Sequence, residues 1–415
     1  MNRLVVLGGG TAGTMVVNKL HRRLGKDWSI TVVDRDDAHV YQPGLLLLPF
    51  GVYEPHDLVK PRHRFVPDGV ELLVAEVDRV DGQACAVHLA DGRRLDYDQL
   101  VIATGTSPRP DQTPGMLDAE WRRSVFDFFT LDGAVALRDA LRRWEGGRLV
   151  VHVVETPIKC PVAPLEFAFL ADAHFAERGM RDAVDITYVT PLDAAFTKPV
   201  AARRLGSMLE DRHIGLETDF VVDRVDASTK TLVSMDEREV PFDLLVTVPL
   251  NMGADFVARS GLGDELNHVP VDKHTMLSKR HDNVFAIGDA GDLPTSKAGS
   301  VAHFSVEVFV DNFVDHVHGR PLRRSFDGHA NCFLESGHGK GLLLDFNYDT
   351  EPLPGAYPVP VLGPFRLLSE SSLNHWGKLG FRWAYWHLLL RGRPLPVPTH
   401  MSMAGKRPVA RTQEV

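Results

Sequence analysis

The chain contains three cysteines, and the chemistry of one of them, Cys160, can be predicted from its neighbours. Pro161 follows it, and because proline suits the first turn of a helix, the apolar residues beyond predict a helix over residues 163–178. Free N–H groups at a helix start and the ammonium group of Lys159 both lower a thiol pKa, and the thiolate is the reactive form of cysteine. Cys160 is therefore a candidate nucleophile, the alternative being a small buried residue of the core.

A second set of residues forms a dinucleotide-binding pattern. Gly8, Gly10 and Gly13 follow the spacing G-x-G-x-x-G between a short β-branched strand and a helix. The first glycine allows a tight turn, the second lets a pyrophosphate approach the backbone, and the third lets the helix pack on the strand. Asp34 ends the next strand, where a carboxylate can bind a ribose diol and disfavours the extra phosphate of NADP. Residues 3–34 are thus predicted to be a βαβ unit that binds phosphates at the helix start.

A second α/β segment begins with a predicted strand over residues 148–154, but it lacks this turn. The residues that follow, 155–161, contain no glycine. A nicotinamide pyrophosphate could not approach such a backbone closely, which counts against an NADH dehydrogenase. Cys160 stands where the turn would be.

Two further segments are typical of flavoproteins. Residues 101–105 (VIATG) close one predicted strand and residues 287–290 (IGDA) end another. Both resemble segments of the glutathione reductase class of flavoproteins, which implies FAD rather than NAD. By that resemblance Asp289 holds the ribityl and phosphate region, and the helix that begins near Gly299 directs its positive end at the flavin. The residues expected to contact FAD are Gly8, Gly10, Thr11, Ala12, Gly13, Asp34, Arg35, Gln42, Val77, Ala103, Thr104, Gly105, Gly288, Asp289, Lys297 and Gly299.

The order of the predicted elements indicates an α/β fold with two Rossmann-like dinucleotide-binding domains and a C-terminal membrane-associating region. We expect a discontinuous FAD-binding domain from residues 1–115 and 260–320. Residues 116–259 form the second Rossmann-like domain, without the glycine turn for NAD, and residues 321–415 form the C-terminal region. Residues 71–102 are predicted to be a meander of strands.

The segments around two cysteines carry a more specific resemblance. Residues 157–167 (PIKCPVAPLEF) and 331–354 (NCFLESGHGKGLLLDFNYDTEPLP) resemble the sulfide:quinone oxidoreductase family, and the likeness covers nearly the whole chain. The resemblance implies that Cys160 and Cys332 form a redox-active pair on the flavin face away from any nicotinamide. They lie 172 residues apart in the sequence, so only the fold can bring them together.

The same resemblance implies a reaction. Hydrogen sulfide is oxidised to sulfane sulfur or polysulfide, and electrons pass through FAD to a membrane quinone. Glu166, inside the predicted helix, could relay protons or could hold loop N–H groups. Some bacterial members carry a third functional cysteine upstream of Cys160. Here residues 86–159 contain none, Cys85 has the pattern of a packing residue, and the length of the sulfur product stays open.

A quinone needs an apolar slot near the flavin with aromatic walls. Phe346 and Tyr348 follow Cys332 in a segment that could supply one. Lys378 matches a lysine that the resembled family places close to the quinone.

Near the C-terminus, aromatic and aliphatic residues recur at three and four positions, as on one face of a helix: Trp376, Leu379, Trp383, Trp386 and Leu390. Aromatic and basic residues on a short amphipathic helix suit a bilayer interface, and members of the resembled family are monotopic. The alternative from pattern alone is a helix docked on the core. The basic, proline-rich tail over residues 391–415 is expected to be flexible.

Composition excludes several classes of function. The net charge of −9 and the pI near 6.1 argue against a nucleic-acid partner. The 19 histidines show no metal-ligand spacing, so we predict no metal. No apolar run is long enough to cross a bilayer, and the first residues have the pattern of a strand rather than of an export signal. We therefore expect a peripheral, monotopic membrane protein, with the cytoplasmic side favoured and a homo-oligomer possible.

Three other functions stay open. The flavoprotein subunit of a flavocytochrome c-type sulfide dehydrogenase shares the fold and the cysteine pair, but it is exported and lacks a tryptophan-rich terminal helix. A type II NADH:quinone dehydrogenase is disfavoured by the missing glycine turn. A non-catalytic redox sensor would use the cysteine pair as a switch and would not turn over.

Overall fold

The β-branched run at the N-terminus forms the middle of a parallel sheet. The protein was examined as a computed structural model that describes residues 1–118, 120–359, 363–395 and 397–408. The strands of this sheet lie in the order Val284–Ala286, Gln99–Ile102, Asn2–Leu7, Trp28–Asp34 and Glu71–Val74. Helix α1 (Thr11–Leu24) follows the first strand, as the glycine spacing predicts.

Only part of the predicted meander is a meander. Its first and last strands, Glu71–Val74 and Gln99–Ile102, join the parallel sheet. The strands between them form a separate antiparallel sheet of Val77–Asp81, Ala86–Leu89 and Arg94–Asp96. Glu71–Val74 forms the edge of the parallel sheet, whereas Gln99–Ile102 lies inside it and is buried over most of its length.

A second parallel sheet follows along the chain. Its strands lie in the order Val125–Phe126, Leu244–Val248, Gly147–Val153, Val184–Val189 and Gly215–Glu217. The accompanying helices are α2 (Leu131–Arg143), α3 (Ala163–Glu177) and α4 (Pro199–Asp211). Helix α3 is buried around most of its circumference, because it lies between this sheet and a third one. Two parallel sheets with helices confirm the predicted α/β class.

Helix α5 (Gly299–Val317) packs against α1 and leads to the third sheet. That sheet has the order Ala330–Gly337, Lys340–Phe346, Gly363–Leu367 and Gly355–Val359. Helix α6 (Ser372–Ala384) packs on it and continues as a π-helical turn over Tyr385–Leu389. Smaller elements are the strands Ala38–Val40, Val59–Pro61, Ser107–Pro108, Val222–Asp226, Thr231–Ser234, Glu239–Pro241 and Asn251–Met252, and the short helices Pro55–Leu58 and Asp255–Arg259.

The prediction that the five spaced residues of the C-terminal helix share one face is wrong. Trp376 and Trp383 are 65% and 61% exposed, but Trp386 and Leu390 are buried. The π-helical turn that begins at Tyr385 changes the rotation per residue, so the residues after it point to the core. Among the described residues, no helix combines the length and the apolar run needed to cross a membrane.

The tail is docked, not flexible, as far as residue 408. The ammonium group of Lys406 pairs with the carboxylate of Asp345, and both side chains are 1% exposed. Asp345 also accepts a hydrogen bond from His329 Nε2 at 2.7 Å, and Arg407 N–H donates to the Pro354 carbonyl at 2.8 Å. Breaking a buried pair of this kind typically costs about 3–5 kcal/mol, because one charge is left uncompensated. Pro396 and residues 409–415 of the predicted tail lie outside the described part of the chain.

Candidate active site

The fold brings Cys160 and Cys332 to one place, the start of α5. Cys160 lies in the loop before α3, and its N–H donates to the Lys297 carbonyl at 2.6 Å. Asn331, next to Cys332, donates its N–H to the Ser300 hydroxyl oxygen at 3.1 Å. Cys160 and the residue before Cys332 are therefore both hydrogen-bonded to residues 297–300. The Cys332 thiol accordingly acts electrostatically on Cys160 and raises its pKa.

The expected activation of Cys160 by a helix start is wrong. Helix α3 begins only at Ala163, and Cys160 has a left-handed backbone with φ of 47°, which is uncommon for a residue with a side chain. Burial raises the pKa of the Cys160 thiol, and burial raises that of Cys332 to about 12. The loss of hydration raises each thiol pKa more than the nearby cations lower it, because a thiolate is poorly stabilised away from water.

The neighbouring Lys159 acts elsewhere. Its ammonium group donates to Gln42 Oε1 at 3.3 Å, and burial lowers its pKa. Lys378 is the cation whose charge favours both thiolates. The counter-charge for the Cys160 thiolate therefore comes from Lys378, more than two hundred positions away, and not from the adjacent Lys159.

Glu166 lies at the centre of a buried polar group. Its Oε1 atom accepts a hydrogen bond from the Glu335 N–H at 2.8 Å, which links α3 to the strand that carries Cys332. The same oxygen accepts a close hydrogen bond from Lys378 Nζ. Both alternatives for Glu166 therefore have support, since it holds a backbone N–H and has an ionisable partner. Burial raises its pKa to about 7 even beside Lys378.

Two residues of this group were missed by the sequence analysis. The Glu335 carboxylate and His375 Nδ1 lie 2.8 Å apart. Burial alone would lower the pKa of Lys378, but the carboxylates of Glu166 and Glu335 and the Cys160 sulfur raise it. Their positions in the sequence could have indicated a place in the site. Glu335 lies three residues after Cys332, and His375 lies one helical turn before Lys378.

The glycine turn has the geometry that dinucleotide binding requires. Gly8 has φ of 94°, and a Cβ atom on Gly13 would lie 1.9 Å from the Gly8 carbonyl oxygen. By contrast, Gly10 faces open space, as the approach of a pyrophosphate demands. Asp34 accepts the Gly9 N–H at 2.7 Å and pairs with Arg62 at 2.9 Å. Arg62, which the sequence analysis missed, thereby orients the carboxylate at the predicted ribose site.

The other predicted cofactor residues at this end surround the same turn. Ala12 is buried in the first turn of α1, and the Thr11 hydroxyl bonds to the Tyr385 hydroxyl at 2.7 Å. The Arg35 side chain follows Asp34 and is mostly exposed. Val77 begins the strand three residues after Glu71–Val74.

At the other end, the predicted residues line the carboxyl ends of the parallel strands. Ala103, Thr104 and Gly105 follow the Gln99–Ile102 strand, and Gly288 and Asp289 follow Val284–Ala286. The Lys297 ammonium group donates to the Asp289 and Gly291 carbonyls at 3.0 and 2.9 Å. Gln42 is linked to this region by the hydrogen bond that it accepts from Lys159.

The residues present fit a bound FAD. The Thr104 hydroxyl is buried without a hydrogen-bond partner among the described residues. Burial raises the pKa of the Asp289 carboxyl, although the charges of Lys297 and Lys159 act against it. Gly299, at the start of the long α5, faces open space as Gly10 does. Buried polar groups without partners and two open glycine positions are what a cofactor with phosphates and a polar ring would satisfy.

The three predicted quinone residues have different neighbours. Phe346 is paired with Ala330, so it shares a sheet face with Cys332 two residues along the strand. The Tyr348 hydroxyl donates to the Lys273 carbonyl at 2.9 Å, and its ring packs on Phe326. Its neighbours thus differ from those of Lys378, because the chain turns away after the strand ends at Phe346. In the described ranges, no cluster of three or more histidine, cysteine or acidic side chains could hold a metal ion.

Comparison with known proteins identifies relatives of this chain. The family model for pyridine nucleotide-disulphide oxidoreductases matches residues 2–304. The mitochondrial sulfide:quinone oxidoreductase of Dictyostelium discoideum is 26% identical over 95% of this chain and 87% of its own length. That of Mus musculus is also 26% identical, over 94% and 86%. These relatives confirm the resemblance drawn from the two cysteine segments.

A solved structure gives the same result for the fold. The X-ray structure of the sulfide:quinone oxidoreductase from Aquifex aeolicus superposes with a TM-score of 0.80 at 19% identity, covering 95% of this chain and 92% of that one. The family model spans both parallel sheets and the start of α5, where the two cysteines meet. The chain therefore belongs to the pyridine nucleotide-disulphide oxidoreductase family.

Proposed function

We propose that this protein is a sulfide:quinone oxidoreductase that uses Cys160 and Cys332 as its redox pair. The observation that carries the proposal is the attachment of both cysteines to residues 297–300 at the start of α5. The segment after the Gly147–Val153 strand, where a relative that uses NADH has its glycine turn, supplies a cysteine instead. The named relatives point to the same substrates, sulfide and quinone.

The sulfur chemistry follows from the two thiols. In the oxidised protein Cys160 and Cys332 form a disulfide. Hydrosulfide attacks the Cys332 sulfur, so that a persulfide forms there and Cys160 leaves as a thiolate. Removal of two electrons and one proton then joins the Cys160 sulfur to the outer sulfur of Cys332 as a trisulfide. A further nucleophile, such as hydrosulfide, takes up the bridging sulfur and the disulfide re-forms.

Buried thiolates need local stabilisation. The pKa of the Cys160 thiol is raised by burial, so the ammonium group of Lys378 supplies the counter-charge that a helix start does not. Glu166, with a pKa near 7, can accept the proton that a thiol releases. Bound FAD supplies the two-electron acceptor between sulfur and quinone.

We place the quinone beside Lys378 and Phe346 and not beside Tyr348. The Lys378 ammonium group donates to Glu166 and to the Phe333 carbonyl. Its remaining N–H can donate a hydrogen bond to a quinone oxygen. Phe346 shares the sheet face of Cys332 and offers an aromatic surface. Tyr348 already uses its hydroxyl group on the Lys273 carbonyl.

The decisive assay compares sulfide with NADH as the electron donor. We expect that sulfide, added without oxygen to the FAD-loaded protein, bleaches the flavin absorption and that a short-chain ubiquinone analogue restores it. NADH in place of sulfide should leave the spectrum unchanged, because the chain lacks the second glycine turn. Bleaching by NADH and not by sulfide would instead identify an NADH dehydrogenase. A sulfide-reduced flavin that only a cytochrome c reoxidises would identify the flavocytochrome-type enzyme.

We also propose attachment to a membrane surface through the exposed side of α6. Leu373, Trp376 and Trp383 are exposed there, and Arg382 lies on the same helix. Tryptophan at the interface and arginine near anionic headgroups favour such binding.

The double variant Trp376→Ser/Trp383→Ser should float with phosphatidylcholine–phosphatidylglycerol vesicles at least about fivefold less than the wild type. The control variant Trp121→Ser changes a tryptophan outside α6 and should float normally. Equal flotation of all three proteins would contradict this attachment.

The three sheets support the domain division proposed from the sequence. Strands of the first parallel sheet come from residues 2–102 and 284–286, those of the second from 125–248, and those of the third from 330–367. Each sheet falls within one of the proposed units.

A further inference from the structure

Four ionisable side chains lie together between the cysteines and the protein surface. The Glu335 carboxylate acts electrostatically on Glu166 and Lys378, and the hydrogen bond that joins Glu335 to Glu166 comes from its backbone N–H. Glu166 is bonded to Lys378 through Oε1, and the same oxygen accepts the Glu335 N–H at 2.8 Å. The Glu335 carboxylate is bonded to His375 at 2.8 Å. We refer to Glu166, Lys378, Glu335 and His375 as the buried polar chain.

The two carboxylates of the buried polar chain are its least exposed members and His375 is the most exposed, with Lys378 between them at 12%. The Glu166 side chain is fully buried, that of Glu335 is 3% exposed, and that of His375 is 22% exposed. Lys378 acts electrostatically on Cys160 and Cys332, so the inner end lies at the redox site. The outer end reaches solvent through the imidazole of His375.

Two carboxylate oxygens in the buried polar chain lack partners. Glu166 Oε2 and Glu335 Oε1 are both buried, and neither has a hydrogen-bond partner among the described residues. A buried acceptor without a partner destabilises the folded protein. Such atoms are free to accept a proton, and an arrangement that tolerates two of them suits proton transfer better than simple structural support.

We propose that Glu335 and His375 are the outer part of a proton path that supplies the quinone through Lys378 and Glu166. The inference rests on the proposed function. Reduction of a quinone to a quinol takes up two electrons and two protons. The electrons come from sulfide through the cofactor, and oxidation of one hydrosulfide to bridging sulfur releases only one proton. The remaining proton comes from solvent at His375. Neither Glu335 nor His375 contacts the reacting atoms, so both act through the inner residues.

Other titratable groups face this path from the neighbouring elements. Tyr53 and Arg382 lie close to Glu335 and Lys378, and Tyr41 is near Glu166. Burial raises the pKa of both tyrosines, so they keep their protons through neutral pH. Arg382 pairs with Asp57 at 3.2 Å. The proposed path therefore runs through Glu166, Lys378, Glu335 and His375 and not through these neighbours.

The test uses the full-length, FAD-loaded protein and measures the two half-reactions separately by stopped flow. In His375→Gln and Glu335→Gln, we expect reduction of the flavin by sulfide to keep its rate within about twofold. Reoxidation by a short-chain ubiquinone analogue should slow by at least about tenfold, with a lower kcat, an unchanged KM and a larger solvent deuterium isotope effect. Imidazole added to His375→Ala should restore part of the rate.

The matched control is His387→Gln, which changes an exposed histidine later in the same helical segment and should behave as the wild type. Thermal melting and FAD content establish that each variant is folded. If His375→Gln melts well below the wild type, Glu335→Gln and the imidazole rescue carry the test.

Two results would overturn the proton path. One is reoxidation at the wild-type rate in both variants. The other is slow reoxidation with no change of the isotope effect and no rescue by imidazole, which would assign the pair a structural role only. Failure of the proposed function looks different, because then sulfide would not reduce even the wild-type flavin.

Discussion

Replacing Cys160 with serine should abolish the reduction of the flavin by sulfide. The hydroxyl group of serine cannot form the disulfide that hydrosulfide opens, nor can it bind the outer sulfur of a persulfide on Cys332. We expect the rate of flavin bleaching to fall by at least about a thousandfold, as is typical when a reacting group is removed. Anaerobic stopped-flow absorbance of the FAD-loaded variant measures this rate directly.

Cys332→Ser should cause a loss of similar size, because the two cysteines act as a unit. The control is Cys85→Ser. Cys85 lies outside the site, where its sulfur accepts a hydrogen bond from Asn283 Nδ2 at 3.3 Å, and its loss should leave bleaching unchanged. Wild-type bleaching in Cys160→Ser would rule out the proposed sulfur chemistry, while the FAD site and the fold would be unaffected by that result.

Replacing Gly13 with alanine should remove FAD binding and destabilise the protein even without FAD. The added Cβ would lie 1.9 Å from the Gly8 carbonyl oxygen, a backbone atom that cannot move aside alone. Helix α1 must then shift away from the strand, so the N–H groups at its start no longer face the phosphates. We expect a lower melting temperature of the apoprotein and an FAD affinity reduced at least about a hundredfold, measured by flavin fluorescence titration.

Gly10→Ala separates cofactor binding from folding. Nothing lies within 4 Å of the position that its Cβ would take, so the apoprotein should melt as the wild type does. FAD affinity should still fall by at least tenfold, or about 1.4 kcal/mol, because the methyl group occupies the approach of the pyrophosphate.

Gly206→Ala is the matched control, in the middle of helix α4 and also without atoms within 4 Å. It should leave FAD binding unchanged. Normal FAD affinity in Gly10→Ala would show that the phosphates lie elsewhere.

Much of the secondary structure could be predicted because it depends on neighbouring residues. The strand before Gly8 and the helix over residues 163–178 follow from local periodicity and turn chemistry, and the structure places their ends within one residue. The helix predicted after Gly13 begins earlier, at Thr11, so Gly13 lies in its first turn. The assignment of strands to sheets was less accurate: the run over residues 71–102 divides between two sheets, since pairing depends on partners far along the chain.

The electrostatics of the site could not be predicted in this way. A helix start and an adjacent lysine argued for an activated Cys160, yet burial raises its pKa, and its counter-charge comes from Lys378. Burial is a property of the whole fold, and its effect on a thiolate exceeds that of a local dipole. Glu335 and His375 were missed for a related reason, since neither has a motif of its own and they matter only through contact with the redox site.

The C-terminal segment shows the same limit. Five residues spaced as one helical face divide between surface and core, because the π-helical turn at Tyr385 changes the phase that a regular helix would keep. The tail over residues 397–408, which has the composition of a flexible segment, is held by the buried pair of Lys406 and Asp345.

The sequence by itself determined the cofactor class and gave the residues that we propose react. Gly8, Gly10 and Gly13 need only a strand and a helix beside them, and a cysteine where the second turn is missing indicates a sulfur reaction. The tertiary structure decided how the reacting residues work together. It alone brings Cys160 and Cys332 to the start of α5, removes water from both thiols, and sets Glu166 and Lys378 beside them. The physical reason is that phosphate binding depends on local backbone geometry, whereas thiol reactivity depends on charge and solvation, to which distant parts of the chain contribute.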